Sequence, residues 1–182
     1  MINLKSEDAL RLISQGVAIE NCIVQERIDI TNLGLELMND VIIKGCSIAE
    51  FYSPSVVFKG KLIFSSTKFN RCVFNYSYFT KGIRIERSRF EEYLDFESGG
   101  HNKFGDIELI DNQFQGFVNF FDCWFHGNVI VKNNSFTSGT NLQGNKGRQF
   151  EVRFDQLLSV ENNLGRMDIN GEGERDENVI SM

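Results

Sequence analysis

Proline is nearly missing from this 182-residue chain, which contains only Pro54. Because proline lacks a backbone N–H and is excluded from central strands, its scarcity leaves almost every residue able to donate to a β-ladder. The chain also lacks an apolar run of about 18 residues, the length at which a segment becomes a candidate membrane-spanning helix. We therefore predict no transmembrane segment.

No secretion signal is visible at the amino terminus. The stretch MINLKSEDALRL carries acidic residues and has neither an apolar centre nor a small-residue cleavage site. We therefore expect a cytoplasmic protein. The formal net charge of −6 is mildly acidic, so we do not expect the surface as a whole to bind nucleic acid directly.

Residue types that carry chemistry are also scarce. The two histidines, His101 and His126, show no metal-ligand spacing, and we expect both to be solvated surface residues. The chain has no phosphate-binding glycine loop and no nucleophile elbow. We therefore predict no catalytic residues, no metal and no cofactor. The cysteines form no CxxC pair and are expected to be buried, unpaired thiols; they are Cys22, Cys46, Cys72 and Cys123.

What the chain does contain is a repeat. Between residues 17 and 160, pairs of inward-facing residues at positions i−2 and i recur, as in Val118-x-Phe120. Alternate positions share one face of a strand, so each pair predicts a short strand. Four pairs make one coil of about 21 to 24 residues, a period typical of solenoids. A single coil cannot bury its own inward side chains, so the coils must stack.

Stacked coils predict columns of equivalent residues. In the first strand of each coil, the i−2 column is apolar: Val17, Val41, Leu62, Ile83, Ile107, Val129 and Val152. In the second strand, the i column places phenylalanine rings between aliphatic ends: Val24, Ile48, Phe69, Phe90, Phe114, Phe136 and Val160. Its i−2 column is small or polar and predicts a hydrogen-bonded ladder: Cys22, Cys46, Thr67, Ser88, Asn112 and Asn134.

The repeat also predicts the domain organisation. The fold class is all-β, a right-handed parallel β-helix of six to seven coils, with residues 1–16 forming a capping helix and 17–160 forming the solenoid. Residues 161–182 are expected to form a carboxy-terminal cap followed by an acidic flexible tail, NGEGERDEN, at 170–178. Two longer spacings, Phe96 to Phe104 and Leu142 to Phe150, predict loops that bulge out at one corner, two coils apart.

The repeat resembles that of pentapeptide-repeat proteins, which form a four-sided right-handed β-helix with Leu or Phe at i and a small residue at i−2. The resemblance covers about residues 17–160 and is carried by Thr67-Lys-Phe69, Ser88-Arg-Phe90, Cys123-Trp-Phe125-His-Gly127 and Thr140-Asn-Leu142-Gln-Gly144. The chain departs from the family pattern because the usual Asp or Asn at i−1 is mostly missing and several i−2 residues are large. The resemblance implies that a homodimer can form through the carboxy-terminal coil.

Aromatic residues at outward positions suggest a binding surface. Outward positions of a solenoid are normally polar, so exposed aromatic rings indicate contact with another protein. The residues expected near one corner are Phe117, Phe121, Trp124, Tyr78 and Tyr76. The alternative is that the loops at 97–103 or 143–149 fold over these rings.

Charge is distributed in two bands. Residues 58–90 are mostly basic, and residues 91–122 are mostly acidic. The favoured explanation is that neighbouring coils pair these charges across the ladder. The alternative is that the bands orient a charged partner.

From these observations we expect a non-catalytic β-helix that binds another macromolecule, most simply a protein. Two alternatives stay open. Some pentapeptide-repeat proteins resemble duplex DNA in shape and charge and bind a topoisomerase, which would require a continuous acidic strip. A small carbohydrate-active β-helix enzyme would require a groove lined by carboxylates, for which the candidates are Glu91, Glu92, Asp95 and Glu97.

Overall fold

The chain winds into a right-handed parallel β-solenoid of about six coils with one short helix at its amino terminus. The structure is a computed structural model, and it describes residues 1–173. Within this part of the chain, no helix is long and apolar enough to cross a membrane. The solenoid and its short helix confirm the predicted fold class.

Most strands are short because each coil turns four corners. In chain order the elements are β1 (Ile2–Asn3), α1 (Ser6–Ser14), β2 (Ile19–Glu20), β3 (Cys22–Asp29), a 3₁₀ turn (Ile30–Leu33), β4 (Glu36–Leu37), β5 (Val41–Lys44), β6 (Ser47–Tyr52), β7 (Val57–Phe58), β8 (Leu62–Ser65), β9 (Lys68–Val73), β10 (Tyr78–Phe79), β11 (Ile83–Glu86), β12 (Arg89–Phe90), β13 (Leu94–Asp95), β14 (Ile107–Ile110), β15 (Gln113–Phe114), β16 (Val118–Asn119), β17 (Trp124–Phe125), β18 (Val129–Lys132), β19 (Ser135–Phe136), β20 (Arg153–Phe154) and β21 (Leu158–Glu161).

These strands stack into four faces, and every pair is parallel. The first face is a seven-stranded sheet in the order β2-β5-β8-β11-β14-β18-β21. The second face runs β1-β3-β6-β9-β12-β15-β19. The third face continues from β9 into β13 and β16. The fourth face contains β4, β7 and β10 and, further along, β17 and β20, with Gly100 bridging the two groups.

The corner between the first and second faces is built the same way in every coil. One residue there adopts a left-handed backbone conformation, with φ between 48° and 61°. The residues in successive coils are Asn21, Gly45, Ser66, Arg87, Asp111, Asn133 and Asn162. Asn, Asp and Gly favour this conformation, whereas Ser66 and Arg87 adopt it at a cost that the stacked neighbours offset.

The predicted phenylalanine column is confirmed on the second face. The rings of Phe69 and Phe90 stack with centroids 5.1 Å apart. Phe90 stacks on Phe114 at 5.2 Å, and Phe114 stacks on Phe136 at 4.9 Å. These four side chains are almost completely buried. Burial of four large rings in contact makes this column a main source of hydrophobic stabilisation.

The predicted polar ladder is also confirmed, and it extends one coil further than expected. Each side-chain oxygen accepts a hydrogen bond from the backbone N–H of the equivalent residue in the preceding coil. The five bonds are Cys46 N to Thr67 Oγ1 at 3.3 Å, Thr67 N to Ser88 Oγ at 3.2 Å, Ser88 N to Asn112 Oδ1 at 2.9 Å, Asn112 N to Asn134 Oδ1 at 3.0 Å, and Asn134 N to Asn163 Oδ1 at 2.9 Å. The ladder satisfies amide groups that the solenoid buries at this corner.

The expected columns are wrong at both ends of the repeat. Val17 is about half exposed, because the first coil begins its strand only at Ile19. At the other end, Val160 pairs with Val131 on the first face and therefore does not extend the phenylalanine column. Val152 lies on the fourth face, where the following residue, Arg153, pairs with Trp124. The long loop before residue 150 shifted these assignments by one face.

The fourth face departs most from the regular spacing. Phe104 was expected to be an inward residue, but its side chain is 70% exposed. Phe150 is 40% exposed, and Phe154 takes the inward place by stacking on Phe125 at 5.7 Å. Phe104 and Phe150 each stand at the end of one of the two predicted insertions. The extra residues of each insertion therefore shift the inward position away from the residue that regular spacing predicts.

The two ends of the solenoid are covered differently. At the amino terminus, α1 buries Ala9 and Ile13 against the first coil. At the carboxy terminus, Thr140 N donates to Arg166 O and Gln143 N donates to Met167 O, so the segment after β21 is hydrogen-bonded to the preceding coil. Leu157 and Leu164 were expected to help cover this end but are exposed. Of the predicted acidic tail, residues 174–178 lie outside the described residues.

Candidate functional site on the fourth face

Two of the predicted aromatic residues lie in one column on the fourth face. Tyr78 bridges to Gly100, and Gly100 bridges to Trp124 in the next coil. Arg153 follows Trp124 in the same column. Tyr78 and Trp124 point outward and are 40% and 38% exposed. The two rings therefore stand two coils apart on one side of the solenoid.

An insertion brings a histidine into this row. Gly100 has a φ of +102°, and a Cβ atom there would lie 2.8 Å from the backbone oxygen of Trp124, so only glycine fits. The next residue, His101, is also left-handed, with a φ of +52°. The centroid of its imidazole ring lies 4.2 Å from that of Tyr78. His101 therefore fills the gap between Tyr78 and Trp124 that the glycine leaves.

His101 belongs to a chain of polar contacts that crosses three coils. Its Nδ1 lies 3.2 Å from Nε2 of His126, which is 25 residues further along the chain. Nδ1 of His126 lies 2.6 Å from Oδ2 of Asp155, again in the next coil. We call the residues that line this part of the fourth face the fourth-face strip; they are Tyr78, His101, Trp124, His126, Arg153 and Asp155.

The carboxylate at one end of this chain determines where the protons lie. An ionised carboxylate only accepts hydrogen bonds, so Nδ1 of His126 donates to Asp155. Neutral His126 then has an acceptor at Nε2, which receives the Nδ1 proton of His101. The remaining nitrogen of His101, Nε2, is left as an acceptor.

Burial and electrostatics reinforce this arrangement. Burial lowers the pKa of His101 below its ordinary value, and the neighbouring His126 lowers it further. The hydrogen bond from His126, followed by one from Trp124, lowers the pKa of Asp155. Asp155 therefore stays ionised throughout the range in which histidines titrate.

A buried asparagine holds the two histidine loops together. Asn102 is completely buried, and its Oδ1 accepts a hydrogen bond of 3.0 Å from the backbone N–H of His126. Its Nδ2 donates to the backbone oxygen of Gly105 at 2.8 Å. The side chain therefore links the inserted loop of one coil to the backbone of the next and fixes the distance between the imidazoles.

The indole of Trp124 is oriented by its neighbours while its surface stays partly open. Its Nε1 donates to Oδ1 of Asp155 at 2.9 Å. The guanidinium carbon of Arg153 lies 5.7 Å from the ring centroid, within the range of a cation–π contact. The His126 ring lies 4.7 Å away. The strip is thus pre-organised by hydrogen bonds and ring contacts.

The other predicted binding residues do not all share this surface. The prediction that Phe117 is exposed at the same corner is wrong: it lies on the outer side of the third face, where Tyr93, with its ring 5.9 Å away, and the chain at Gly173 cover it and leave it 5% exposed. Phe121 is half-buried against Phe150 at 4.9 Å, so the 143–150 loop folds over it as the alternative proposed. Tyr76 is exposed at the corner that leads into the fourth face.

Part of the basic band pairs with carboxylates of other coils, as the favoured explanation expects. Arg84 lies 2.7 Å from Glu108, and Lys61 lies 3.3 Å from the same carboxylate. Lys68 reaches Glu91 across one coil at 2.9 Å. Exposed pairs of this kind contribute little stability individually.

The carboxylates of the proposed acidic cluster lie in different surroundings. Glu91 is held by Arg89 and Lys68, and Asp95 is buried, where its Oδ1 accepts a hydrogen bond from Asn119 at 3.0 Å. Glu91 and Glu92 both line a cavity of about 490 Å³ beside Tyr93 and Phe117, and its lining residues are not those of the fourth-face strip. Among residues 1–173, no group of three or more His, Cys, Asp and Glu side chains is arranged to hold a metal ion.

Comparisons of the chain with protein-family models, with curated proteins and with solved structures gave no significant match.

Four members of the strip were missed or misjudged in the sequence. His101 and His126 were expected to be independent surface residues, and Arg153 and Asp155 drew no attention. The spacing of the histidines could have indicated their contact, because a separation of 25 residues is close to the length of one coil and places them near each other in adjacent coils. The 29 residues from His126 to Asp155 exceed the regular period, since the second insertion lies between them.

Proposed function

We propose that this chain is a non-catalytic protein-binding module and that the fourth-face strip is its docking surface. The observation that carries the proposal is the single outward row formed by Tyr78, His101, Trp124 and Arg153 in consecutive coils. Tyr, Trp and Arg are the residues most enriched at the energetic centres of protein interfaces. Their clustering on one face of a solenoid is unexpected for a surface that only meets water.

The chemistry of the strip indicates the kind of partner. Arg153 and Asp155 provide one charge of each sign, so the strip is close to neutral while both histidines are uncharged. The open faces of Tyr78 and Trp124 favour an apolar or aromatic side chain, and the acceptor nitrogen of His101 favours a hydrogen-bond donor. The preferred occupant is therefore a protein segment that presents an apolar anchor beside a hydroxyl or amide group.

Neither alternative function receives comparable support. A DNA mimic requires a continuous acidic strip, whereas Glu91 and Glu108 are engaged by basic residues of neighbouring coils. A carbohydrate-active enzyme requires paired carboxylates in a groove, whereas Glu91 is ion-paired with Arg89 and Asp95 is buried.

The test uses partner capture with matched surface variants. The full chain is used as bait in extracts of its source cell, together with the double variant Tyr78→Ser/Trp124→Ser. The control is Leu157→Ser/Leu164→Ser, which removes two exposed apolar residues at the carboxy-terminal end. We expect a specific partner to bind the wild type and the control, and to lose at least about tenfold in affinity for the strip variant.

A site-specific cross-link locates the contact. A photo-reactive amino acid at Tyr76, exposed at the edge of the strip, should cross-link that partner, and one at Leu164 should not. Equal binding by the folded strip variant, or cross-linking only from Leu164, contradicts the proposal.

A further inference from the structure

The facing nitrogens of the two histidines impose a limit on protonation. Nδ1 of His101 and Nε2 of His126 lie 3.2 Å apart, so a hydrogen bond between them requires one proton, carried by one of the two. If both rings are doubly protonated, two N–H groups and two positive charges face each other. The contact is then repulsive, and the rings must separate.

Asp155 determines the order of proton uptake. A first proton is best placed on His126, because Asp155 Oδ2 lies 2.6 Å from its Nδ1 and neutralises the charge. The His101–His126 bond survives this step, since Nε2 of His126 can become the donor while His101 carries its proton on Nε2. A second proton must go to His101, and this step breaks the bond.

We propose that the His101–His126–Asp155 chain is an acid-sensitive switch for docking at the fourth-face strip. Uptake of the second proton drives the His101 ring away from His126 and adds a positive charge to a strip that already contains Arg153. The continuous row of rings is thereby interrupted, and the partner is released. This inference rests on the proposed function, of which it states the regulation.

The groups around His101 support a transition in mildly acidic solution. Tyr78 packs on His101 from β10, and Trp124 faces it from β17. His126, which follows β17, also faces it, and Asp155, which follows β20, lies behind His126. Asp155 is the only carboxylate in this hydrogen-bonded chain, and it contacts His126 and not His101. Burial and the neighbouring imidazole disfavour a charge on His101, so its transition falls below the ordinary histidine value of about 6.5.

The first experiment requires no partner. Nitrogen NMR of the imidazoles distinguishes the two neutral tautomers, and the chain contains only two histidines, which His126→Gln assigns. At about pH 7.5 we expect the Nδ1–H tautomer on both rings, which is the minor form of free histidine. On acidification we expect two coupled steps, with His101 charging last. Independent titration of both rings near pH 6.5, or an Nε2–H proton on His126 at neutral pH, overturns the switch.

The second experiment measures docking of the captured partner as a function of pH. The wild type should lose at least about tenfold in affinity between about pH 7.5 and about pH 5. The variant His101→Asn cannot titrate, and asparagine tolerates the left-handed backbone at this position. Whatever affinity this variant keeps at about pH 7.5 should change by less than about twofold over the same range.

The two proposals can fail separately. If the strip binds its partner equally well at both pH values, the switch is wrong and the docking function stands. If no partner contacts the strip, the docking function fails, and the release mechanism fails with it, while the NMR titration still decides whether the histidines are coupled.

Discussion

The side-chain oxygen of Asn134 lies 3.0 Å from the backbone nitrogen of Asn112 and accepts its hydrogen. The Nδ2 atom of Asn112 donates to the same oxygen, also at 3.0 Å, and to the backbone oxygen of Ile85 at 2.8 Å. One buried amide thus connects the first and second faces of two coils. Backbone amides that are buried at a corner need hydrogen-bond partners, and here side chains of the next coil provide them.

Replacing Asn112 should reveal the strength of this ladder. Asn112→Leu leaves the amide of Ser88 and the carbonyl of Ile85 without their partners, so we expect a loss of about 2–4 kcal/mol in the free energy of unfolding. Asn112→Ser retains an acceptor, as Ser88 does naturally, and should lose about half as much. Urea denaturation measures both, and equal losses would show that the acceptor is not what matters.

The phenylalanine column predicts a large difference between two chemically identical substitutions. Phe114→Ala removes a ring that is stacked on both sides and should cost about 3–5 kcal/mol. Phe104→Ala removes a ring that is 70% exposed and should change stability by no more than about 0.5 kcal/mol. Thermal and urea denaturation test the pair, and a comparable cost at Phe104 would contradict the described packing of the fourth face.

The corrected position of Phe117 separates a structural ring from a binding ring. Phe117→Ser exposes the space beside Tyr93 and should lower stability by about 2–4 kcal/mol without affecting partner capture. Trp124→Ser should abolish capture and cost no more than about 1 kcal/mol, since the indole is partly exposed. Melting temperature and partner affinity are measured on the same samples. The reverse pattern would place the docking surface at the third face.

Glu91 makes stability depend on pH in strongly acidic solution. Hydrogen bonds from Arg89, then from Lys68, lower the pKa of this carboxyl to about 2. Its contribution is therefore fully present above its unfolded pKa of about 4.3 and is lost as the pH falls through about 2. The stability difference between wild type and Glu91→Gln should shrink over this interval. Carboxyl NMR gives the midpoint directly, and a value near 4.3 would show that the ion pairs do not form in solution.

The cysteines should be unreactive in the folded protein. Cys22 and Cys46 lie in adjacent coils with sulfurs 3.5 Å apart, and burial, followed by the hydrogen bond with Cys46, raises the pKa of Cys22 to about 12. Because the thiolate is the reactive form, alkylation near pH 8 should be at least about 100-fold slower than in denaturant. Leu157→Cys supplies an exposed thiol as the control. Rapid modification of Cys22 would indicate that the first coil opens readily.

The regular part of the fold could be predicted because its cause is local. Phe69, Phe90 and Phe114 sit at matching positions of successive coils, and strand alternation alone places them inside. The ladder residues could be predicted for the same reason, since Ser88 and Asn112 each lie two positions before an inward ring. The left-handed corner at Arg87 was not foreseen, because arginine has no preference for that conformation and only the stacked neighbours hold it there.

The sequence by itself determined the solenoid and its buried columns. It also identified Tyr78 and Trp124 as candidate binding residues, because aromatic side chains at outward positions break the inward-outward rule. Only the tertiary structure decided that Phe117 is buried, and that His101, His126 and Asp155 form one chain. The reason is that periodicity is a property of neighbouring residues. The alignment of one coil with the next depends on the length and path of every insertion between them, and those insertions brought the two histidines within hydrogen-bond distance.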